Sequence, residues 1–404
     1  MLVRKLWVFT SRYPYPIEKG DKLRLYFQLI ELSNHFDITL FTLADADPQP
    51  DHEEELRKYC SEILYVKLSS IERMYRTFLA FTRRQPLQVG FFRSLRLQHL
   101  INDKYIEDPP DLIYCHLIRM SEYVRHLPVP KVLDYMDAFS LGMFRASANS
   151  NNFFWKHIYR IEAALCAHYE RFIFSDFDGS TIISRQDQQA LKILQKEKVT
   201  VVSNGIDLDQ FYFEPSLERK EQILFVGNLG YAPNVRAAQY LIYELMPHLW
   251  EKLPNARLVL AGARPVPWLT RLKDSRIEVL GWVEDIRDAY SQGSVFVAPL
   301  FTGSGMQNKI LEAMAVGVPC ITTEIVNDSI LAEPNQDILL ADDVNSFVHQ
   351  ITQLFDSEER FRTLSHRGRA FIEINFPWKK ATQPLLELLN QTIDKNNKPI
   401  YAKE

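Results

Sequence analysis

Short runs of apolar residues alternate along the chain with longer segments in which apolar residues recur every three or four positions. The short runs have the length of buried strands, and the longer segments have the period of an α-helix. Strands and helices in alternation are typical of parallel sheets with crossover helices. In the first half, the pattern predicts strands at 6–10, 38–43, 63–66, 112–115, 131–135, 172–174 and 179–183, and helices at 23–33 and 153–169.

The alternation stops at a polar, irregular stretch and then begins again. Positions 206–219 contain Pro215 and lack a periodic pattern, so we interpret them as a linker between two domains. Beyond them the predicted strands are 223–226, 257–261, 277–280, 295–299, 320–323 and 338–340, and the predicted helices are 235–252, 285–292, 307–315 and 344–355. The sequence therefore predicts an α/β protein with two doubly wound, Rossmann-like domains. Because ligands bind beyond the carboxyl ends of such strands, we expect the site in a cleft between the domains.

Composition narrows the classes of partner. A chain of 404 residues exceeds what one core usually supports, and its 46% hydrophobic content is enough for two. The net charge of -4 argues against a nucleic-acid partner, and the four cysteines match no metal or redox spacing. The first apolar run is too short for a signal peptide, and no segment offers about 18 uninterrupted apolar residues. We therefore expect a cytoplasmic protein without a transmembrane helix.

A glycine-containing turn joins the predicted strand 295–299 to the helix that begins near Gln307. Gly303 and Gly305 lie in this turn, so free N–H groups and the positive end of the helix dipole are available to an anion. Lys309 in the first helical turn would be favoured by a phosphate, and Glu312 could accept hydrogen bonds from sugar hydroxyls. The glycines alone fit a tight turn with surface charges. The small residues at 313–319, which let the helix approach the sheet closely, favour the binding site.

The segment Leu-Glu-Ala-Met-Ala-Val-Gly-Val-Pro at 311–319 resembles the retaining, two-domain glycosyltransferases of family 4, which have the GT-B fold. That family carries a Glu-x7-Glu pattern, in which the second Glu corresponds to Glu312 and the first is replaced here by Ser304. The resemblance implies that Glu312 binds the ribose hydroxyls of a nucleotide-sugar donor. Several subgroups replace the first Glu and have a lysine where Lys309 stands. The chain is also similar to sugar transferases associated with exopolysaccharide and PEP-CTERM systems.

The resemblance extends to other donor-domain motifs. The segment 225–234 is similar to the strand and loop that open the donor domain, and 281–283 to the segment beside the nucleotide base. Arg264 is either a second phosphate cation or a loop charge. The donor-binding residues that the resemblance implies are Gly20, Gly227, Asn228, Arg264, Trp282, Val283, Gly303, Ser304, Gly305, Met306, Lys309 and Glu312, and the catalytic residues are His116, Lys309 and Glu312.

The first half contributes fewer candidates. Gly20 lies in a loop before a helix, where glycine lets the backbone approach a diphosphate. His116 ends a predicted strand where the family often has a histidine beside the donor sugar; the alternative is a structural histidine. Asp137 is either a site residue or a helix or turn cap. We expect Asp137 and Arg119 on the acceptor side.

Two further matches concern the boundaries of the domains. Positions 203–207 resemble the family's interdomain hinge, and 375–378 resemble the start of its last helix. The resemblance implies an acceptor-binding domain at 1–205 and a donor-binding domain at 206–377. The helix of 378–404, with its polar tail, is then expected to cross back to the first domain.

The resemblance implies a hexosyltransferase-type enzyme that transfers a sugar from a nucleoside-diphosphate donor to a hydroxyl of a glycan or lipid-linked acceptor. The family retains the anomeric configuration, with the departing phosphate helping to deprotonate the acceptor. No Asp-x-Asp pair lies at a suitable strand end, so neither a metal nor another cofactor is implied. Two alternatives stay open: a nucleotide-sugar epimerase of the same architecture, and a non-catalytic nucleotide-binding relative.

The region 69–100 combines basic and aromatic residues and contains a single acid, Glu72. This composition indicates peripheral contact with the inner face of the cell membrane or a lipid-linked acceptor. An ordinary pair of amphipathic helices with buried aromatic residues fits equally well. The arginines are Arg73, Arg76, Arg83, Arg84, Arg93 and Arg96, and the aromatic residues are Tyr75, Phe78, Phe81, Phe91 and Phe92.

Overall fold

The computed structural model describes residues 3–150, 152–214, 220–301 and 306–396. The chain forms two compact units, the first of residues 1–203 with 381–404 and the second of residues 204–380. Each unit contains one parallel sheet with helices. The predicted fold class is confirmed.

The sheet of the first unit has its strands in the order β3-β2-β1-β4-β5-β6-β7, all parallel within the described residues. From β1 the chain moves to one side as far as β3, then returns to β4 on the other side of β1. This reversal is the switch point of a doubly wound sheet. The strands are β1 Arg4–Thr10, β2 Phe36–Ala44, β3 Glu62–Lys67, β4 Leu112–His116, β5 Lys131–Asp134, β6 Gly179–Ile182 and β7 Val199–Val201.

Helices connect these strands, and two apolar clusters form the core of the unit. Described helices of the first unit are α1 Gly20–Ser33, α2 Pro50–Arg57, α3 Ser70–Thr82, α4 Leu87–Phe91, α5 Leu95–Glu107, α6 Ser121–Val124, α7 Phe139–Asn149, α8 Phe153–Ile173 and α9 Arg185–Ala190. Short 3-10 turns occur at Ile118–Met120, Phe174–Asp176 and Lys196–Lys198.

The second unit repeats the arrangement, with the order β10-β9-β8-β11-β12-β13 and its switch point between β8 and β11. Its strands are β8 Gln222–Val226, β9 Arg257–Ala261, β10 Ile277–Gly281, β11 Val295–Ala298, β12 Cys320–Thr322 and β13 Leu339–Leu340. Its described helices are α10 Ala232–Tyr240, α11 Met246–Trp250, α12 Ile286–Ser291, α13 Asn308–Val316, α14 Glu324–Ile330, α15 Val344–Asp356 and α16 Glu358–Asn375.

Two helices differ from simple expectation. A π-helical turn, Leu241–Leu245, joins α10 to α11 just before Pro247, which has no N–H for the α-helical ladder. The last helix, α17 (Trp378–Asn396), begins in the second unit and continues into the first, where Leu385, Leu389 and Ile393 belong to the core.

The predicted strand at 172–174 is wrong. These residues are the end of α8 and the start of the 3-10 turn Phe174–Asp176. The apolar run is there because Ile173 is fully buried at the end of a 21-residue amphipathic helix. A run of three apolar residues cannot by itself distinguish a strand from a helix end.

A fully buried ion pair lies at the carboxyl end of β5. Arg24 on α1 donates from Nε to Asp134 Oδ2 at 2.9 Å, and both side chains are inaccessible to solvent. Asp134 also accepts hydrogen bonds from Thr181 and Tyr114, at 2.8 and 3.0 Å. Burial alone would raise the pKa of Asp134, but the Arg24 guanidinium opposes it and holds that pKa well below its usual range.

The same arginine fixes the end of the first unit. Arg24 Nη1 donates to the carbonyl oxygens of Val202, at 2.8 Å, and Ser203, at 3.3 Å. These residues follow β7 and directly precede the second unit. The buried pair therefore connects α1, β5 and the segment by which the chain leaves the first unit.

Replacing Asp134 with asparagine should lower the free energy of unfolding by about 3–5 kcal/mol, because Arg24 would remain buried without a counter-charge. Urea unfolding followed by circular dichroism measures the change. The matched control is Asp394→Asn, whose partner Arg4 is 3.4 Å away on the surface and whose loss should change stability by at most about 1 kcal/mol. Equal effects of the two substitutions would contradict the assigned role of the buried pair.

Candidate functional site

The switch point of the second sheet brings two loops together. The loop after β8 begins at Gly227, and the segment after β11 leads to α13. Strands β8 and β11 are neighbours, with Ile223 paired to Val295 and Leu224 to Phe296. Their carboxyl ends therefore form the crevice in which open α/β sheets bind ligands.

Backbone hydrogen bonds tie the loop after β8 to those after β9 and β10. The Gly227 N–H donates to the Ala261 carbonyl at 2.9 Å, and the Gly262 N–H to the Gly281 carbonyl at 2.7 Å. Gly262 has φ +139°, and a Cβ atom there would lie 1.9 Å from the Gly227 carbonyl oxygen. Only glycine permits this approach, so the loop at Gly227 is held in one position.

Lys309 on α13 reaches the loop at Gly227. Its Nζ donates to Asn234 Oδ1 at 2.6 Å and lies 4.9 Å from the centroid of the Phe225 ring. A Cβ at Gly227 would be 2.8 Å from this Nζ, so glycine there makes room for the ammonium group. Asn234 in turn donates to the Asn228 carbonyl at 3.0 Å. The lysine head is therefore fixed beside the carboxyl end of β8.

The environment of Lys309 disfavours its charge. Burial lowers the pKa of Lys309 to about 8, and the nearby Glu312 carboxylate opposes that shift only in part. Asn234 supplies a neutral acceptor, and the Phe225 ring supplies a weak cation-π contact. A cation held this way is stabilised by an added anion, and phosphate is the anion that helix N-termini and lysines bind together.

Glu312, one helical turn beyond Lys309, is held by Tyr290 of α12. The Tyr290 hydroxyl donates to Glu312 Oε2 at 2.7 Å and lies 3.2 Å from the Lys309 carbonyl oxygen. Burial raises the pKa of Glu312, while this hydrogen bond and Lys309 act in the opposite direction. One carboxylate oxygen accepts the Tyr290 hydrogen bond, and the side chain as a whole is half-buried.

The other predicted residues of the second unit are less constrained. Arg264 is exposed and has φ +56°, beside Gly230, and Trp282 is 70% exposed. Val283 and Met306 are partly buried against the core. Gly303, Ser304 and Gly305 lie outside the described residues. The structure thus brings together Gly227, Asn228, Lys309 and Glu312.

His116, the last residue of β4, is fully buried at the switch point of the first sheet. Its Nε2 lies 3.9 Å from Asp134 Oδ2, and neither ring nitrogen has a hydrogen-bond partner among the described residues. Burial lowers the pKa of His116 to about 4, against the opposing charges of Asp134 and Asp21. The imidazole is therefore neutral at pH 7.

The acceptor-side candidates are Arg119 and Asp137. After burial, the charge of Arg119 is among the influences on the pKa of both His116 and Asp137. Arg119 donates to Gln88 at 3.1 Å, and its guanidinium lies 4.9 Å from each of two aromatic rings. Burial, followed by the neighbouring carboxylate of Asp187, raises the pKa of Asp137 to about 7.

Gly20 is the first residue of α1 and is exposed. A Cβ there would lie 3.8 Å from Met136 Cε, an ordinary contact. Packing within the unit therefore does not require glycine at this position, and the predicted backbone approach to a diphosphate stays a prediction.

Two residues that position the site were not identified from the sequence. Asn234, at the start of α10, was indistinguishable from an ordinary turn residue, although it holds Lys309. Tyr290, near the end of α12, occupies an apolar helix position, and its buried hydroxyl is what holds Glu312. A buried tyrosine hydroxyl needs a partner, which is the one signal that could have suggested Tyr290.

Two features are absent from the described residues. Those residues contain no group of three or more His, Cys, Asp and Glu side chains that could hold a metal ion. Nor does any helix among them have both the length and the apolar character needed to cross a bilayer.

Residues 220–357, which contain Gly227, Lys309 and Glu312, match the model of a family described as glycosyl transferases group 1. A UDP-Gal:alpha-D-GlcNAc-diphosphoundecaprenol alpha-1,3-galactosyltransferase of Escherichia coli is 28% identical over 189 residues, 40% of this chain and 46% of that enzyme. The chain is a glycosyltransferase.

Two further proteins are similar to this glycosyltransferase over nearly its whole length. An uncharacterized 44.6 kDa protein in the cps region of Klebsiella pneumoniae is 23% identical over 397 residues, 93% of this chain and 97% of that protein. The crystal structure of Anabaena HepE in complex with UDP and glucose covers 96% of this chain and 99% of its own, with a TM-score of 0.65 and 15% identity. At this identity the likeness shows the fold alone, which is of the GT-B type.

Gly262→Ala should lower the free energy of unfolding by at least about 2 kcal/mol, because an alanine with φ +139° is strained and its Cβ would collide with the Gly227 carbonyl. Urea unfolding measures the change. The control is Gly142→Ala in α7, where no atom lies within 4 Å of the added Cβ and where alanine should raise stability by up to about 1 kcal/mol. An unchanged stability of Gly262→Ala would show that the two loops are not held against each other.

Proposed function

We propose that this glycosyltransferase transfers a sugar from a nucleoside-diphosphate donor to a hydroxyl of a glycan or lipid-linked acceptor, with retention of configuration. The product is a cell-surface polysaccharide or glycolipid. The proposal needs neither a metal nor another cofactor. It rests mainly on one observation, the Lys309 ammonium group held beside Gly227 at the switch point of the second sheet.

Lys309 acts on the diphosphate. Negative charge develops on the leaving phosphate as the glycosidic bond breaks, and a fixed cation in a partly buried site stabilises that charge. The ammonium group is already held by Asn234, so little reorganisation is needed during the reaction. The start of α13, where the Gln307 side chain makes no capping hydrogen bond, adds the positive end of the helix dipole.

Glu312 binds the ribose hydroxyls in this proposal. The Tyr290 hydrogen bond stabilises the ionised carboxylate and leaves one oxygen for a ligand. Gly227, Asn228 and Arg264 are proposed to bind the diphosphate, and the same role for Gly20, Gly303, Ser304 and Gly305 rests on the sequence alone. Trp282 and Val283 lie beside the base.

His116 is assigned to the donor sugar, with Arg119 and Asp137 on the acceptor side. A neutral imidazole can donate from one nitrogen and accept at the other, which suits sugar hydroxyls. In the retaining reaction the departing phosphate takes the proton of the acceptor hydroxyl, so no separate protein base is required.

The names of relatives support this class of reaction. The Escherichia coli relative is named as a transferase from UDP-Gal to a lipid diphosphate-linked sugar, and a Staphylococcus aureus relative as a capsular polysaccharide biosynthesis glycosyltransferase. The epimerase alternative is not favoured, because these relatives are named as transferases. The Anabaena structure contains UDP, which makes UDP the first donor nucleotide to test.

The proposal includes a position at the inner face of the cell membrane, with peripheral contact through residues 69–100. It is supported by α3, whose apolar side chains Ile71, Met74, Tyr75, Phe78 and Phe81 are all exposed. An ordinary amphipathic helix turns its apolar face inward. The interpretation of 69–100 as helices with buried aromatic residues is therefore wrong for α3.

Lys309→Met should weaken UDP binding about ten- to hundredfold, the loss expected for a charge-assisted hydrogen bond of about 1.5–3 kcal/mol. Isothermal titration calorimetry measures the affinity. UDP affinity of the wild type should also fall as the pH rises from 7.5 to 9, because Lys309 loses its proton near pH 8. The variant should show no such fall.

The control for this experiment is Lys273→Met, an exposed lysine of the second unit, which should leave UDP affinity unchanged. Thermal unfolding without nucleotide should show that Lys309→Met is folded, since removing a half-buried cation does not weaken the core. If UDP, GDP, ADP and dTDP all fail to bind the wild type, the proposal is wrong. If nucleotide binds without turnover of any donor over many acceptors, the chain is a binding protein instead.

Glu312→Gln should retain the Tyr290 contact but lose the charge that ribose hydroxyls favour, and its UDP affinity should fall about tenfold. The loss should be much smaller for uracil-containing ligands that lack ribose hydroxyls, such as 2′,3′-dideoxyuridine diphosphate. Equal losses for both ligands would show that Glu312 does not bind the ribose.

A further inference from the structure

Two neighbouring cavities of the first unit share the side chain of Arg73. One is an open groove of about 750 Å³, lined almost entirely by apolar side chains of α3, α4 and α8. The other is a polar pocket of about 310 Å³ beyond the carboxyl ends of β1 and β2. Because Arg73 lines both, an apolar surface and a polar one meet at a single residue.

The groove is apolar where a helix surface is normally polar. Met74 and Phe78 of α3 are 75% and 63% exposed, Phe81 is 57% exposed, and Ile161 of α8 on the opposite wall is 53% exposed. On α3 these residues recur at spacings of three and four, so they form one continuous face. A contiguous exposed apolar surface of this kind marks a binding site.

The charges at the edge of the groove are basic. Arg73 lines the groove itself, Arg76 belongs to the same helix, and the exposed Arg83 and Arg84 directly follow that helix. The nearby acids are already engaged, since Glu72 accepts the Leu95 N–H and the buried Glu162 accepts those of Leu87 and Gln88. A ligand of this groove is therefore apolar along its length and anionic where it meets solvent.

The polar pocket provides cations at the Arg73 end. Lys19 and Lys22 line it together with Arg12, which pairs with Asp21, and with the carboxylates Glu18, Asp45 and Asp47. Burial lowers the pKa of Lys22, and the neighbouring Glu18 carboxylate opposes that shift. The Arg73 guanidinium pairs with Asp45 and lies 5.0 Å from the Phe91 ring, while its buried Nε has no hydrogen-bond partner among the described residues.

We propose that the two cavities bind the acceptor as an amphiphile, with its hydrocarbon chain in the groove and its phosphate or diphosphate group at Lys19, Lys22 and Arg73. This inference rests on the proposed transferase function and selects the lipid-linked acceptor over a free glycan. The groove accounts for the length and the apolar character of the ligand's hydrocarbon chain. The pocket lies at the carboxyl edge of the first sheet, where its ligands are expected.

The test uses farnesyl monophosphate as the probe, below its critical micelle concentration, with farnesol and inorganic phosphate as separate halves of the ligand. Calorimetry should give farnesyl phosphate an affinity at least about tenfold above that of either half. Each buried methylene contributes roughly fourfold over inorganic phosphate, and charge-assisted hydrogen bonds to the phosphate contribute about ten- to hundredfold, or about 1.5–3 kcal/mol, over farnesol. Geranyl phosphate, with a shorter chain, should bind more weakly. If farnesol binds with the same affinity as farnesyl phosphate, the phosphate does not contribute to binding and the proposal is wrong.

Two sets of substitutions locate the ligand. Met74→Gln with Phe78→Gln should weaken farnesyl phosphate binding at least about tenfold, and both positions are exposed enough to be changed without disturbing the core. Lys19→Ala or Lys22→Ala should weaken it about threefold each and should not change the binding of farnesol. The matched control is Ile106→Gln on α5, 83% exposed and outside both cavities, which should have no effect.

Measurements of UDP affinity separate this inference from the function on which it rests. The groove variants should bind UDP like the wild type, so a protein that binds UDP but not farnesyl phosphate would overturn the inference alone. Flotation with phosphatidylglycerol vesicles tests a bilayer as the occupant. If the protein floats through Met74 and Phe78 but does not bind the soluble probe, the groove is a membrane-docking face. If Phe78→Gln instead dissociates a dimer seen by light scattering, the occupant is a second copy.

Discussion

The parallel pairing of both sheets is the constraint on which the structure depends. Every strand has to be followed by a crossover, so all carboxyl ends of a sheet lie along one edge, and the loops there are free to vary. The chain reverses direction at β1 and β4 in the first unit and at β8 and β11 in the second. His116 ends β4, Gly227 follows β8, and the segment before α13 follows β11. Within the second unit, topology thus brings Gly227 and α13 together, although they are far apart in sequence.

Topology alone leaves each side chain free to rotate, and buried polar contacts remove that freedom. Lys309 is directed by Asn234, and Glu312 by Tyr290. Removing a charge from water is unfavourable unless hydrogen bonds replace the hydration. The two sites differ in how this is achieved. Arg24 has a full counter-charge in Asp134 and is structural, whereas Lys309 has a neutral acceptor and a carboxylate one turn away, which leaves it the capacity to bind an anion.

Much of the fold followed from apolar periodicity, because strands buried on both faces read as short continuous runs such as 223–226 and 257–261. The failure at 172–174 came from the end of a helix, where the exposed Phe172 precedes the buried Ile173 and makes the apolar run look like a strand. In the site, Lys309 and Glu312 could be identified because the loop and helix that carry them are contiguous in sequence. Asn234 and Tyr290 could not, since their role depends on a contact between α13 and two other helices. The Arg24 and Asp134 pair was missed for the same reason: their positions are 110 residues apart.

The residue types of α3 are evident from the sequence, but the exposure of its apolar face is not. Arginines alternating with aromatic residues fit an inward-facing helix as well as an outward-facing one, and only the fold decides which side chains reach solvent. In this chain Ala80 is the buried residue of α3, while Met74 and Phe78 are exposed. A helix with this orientation gains little from the core, and its apolar face lowers solubility, so a ligand or a surface that covers it is the physical explanation for its retention. The polar pocket at the Arg73 end of the groove, with Lys19 and Lys22 among its lining residues, is what the proposal adds to this apolar face.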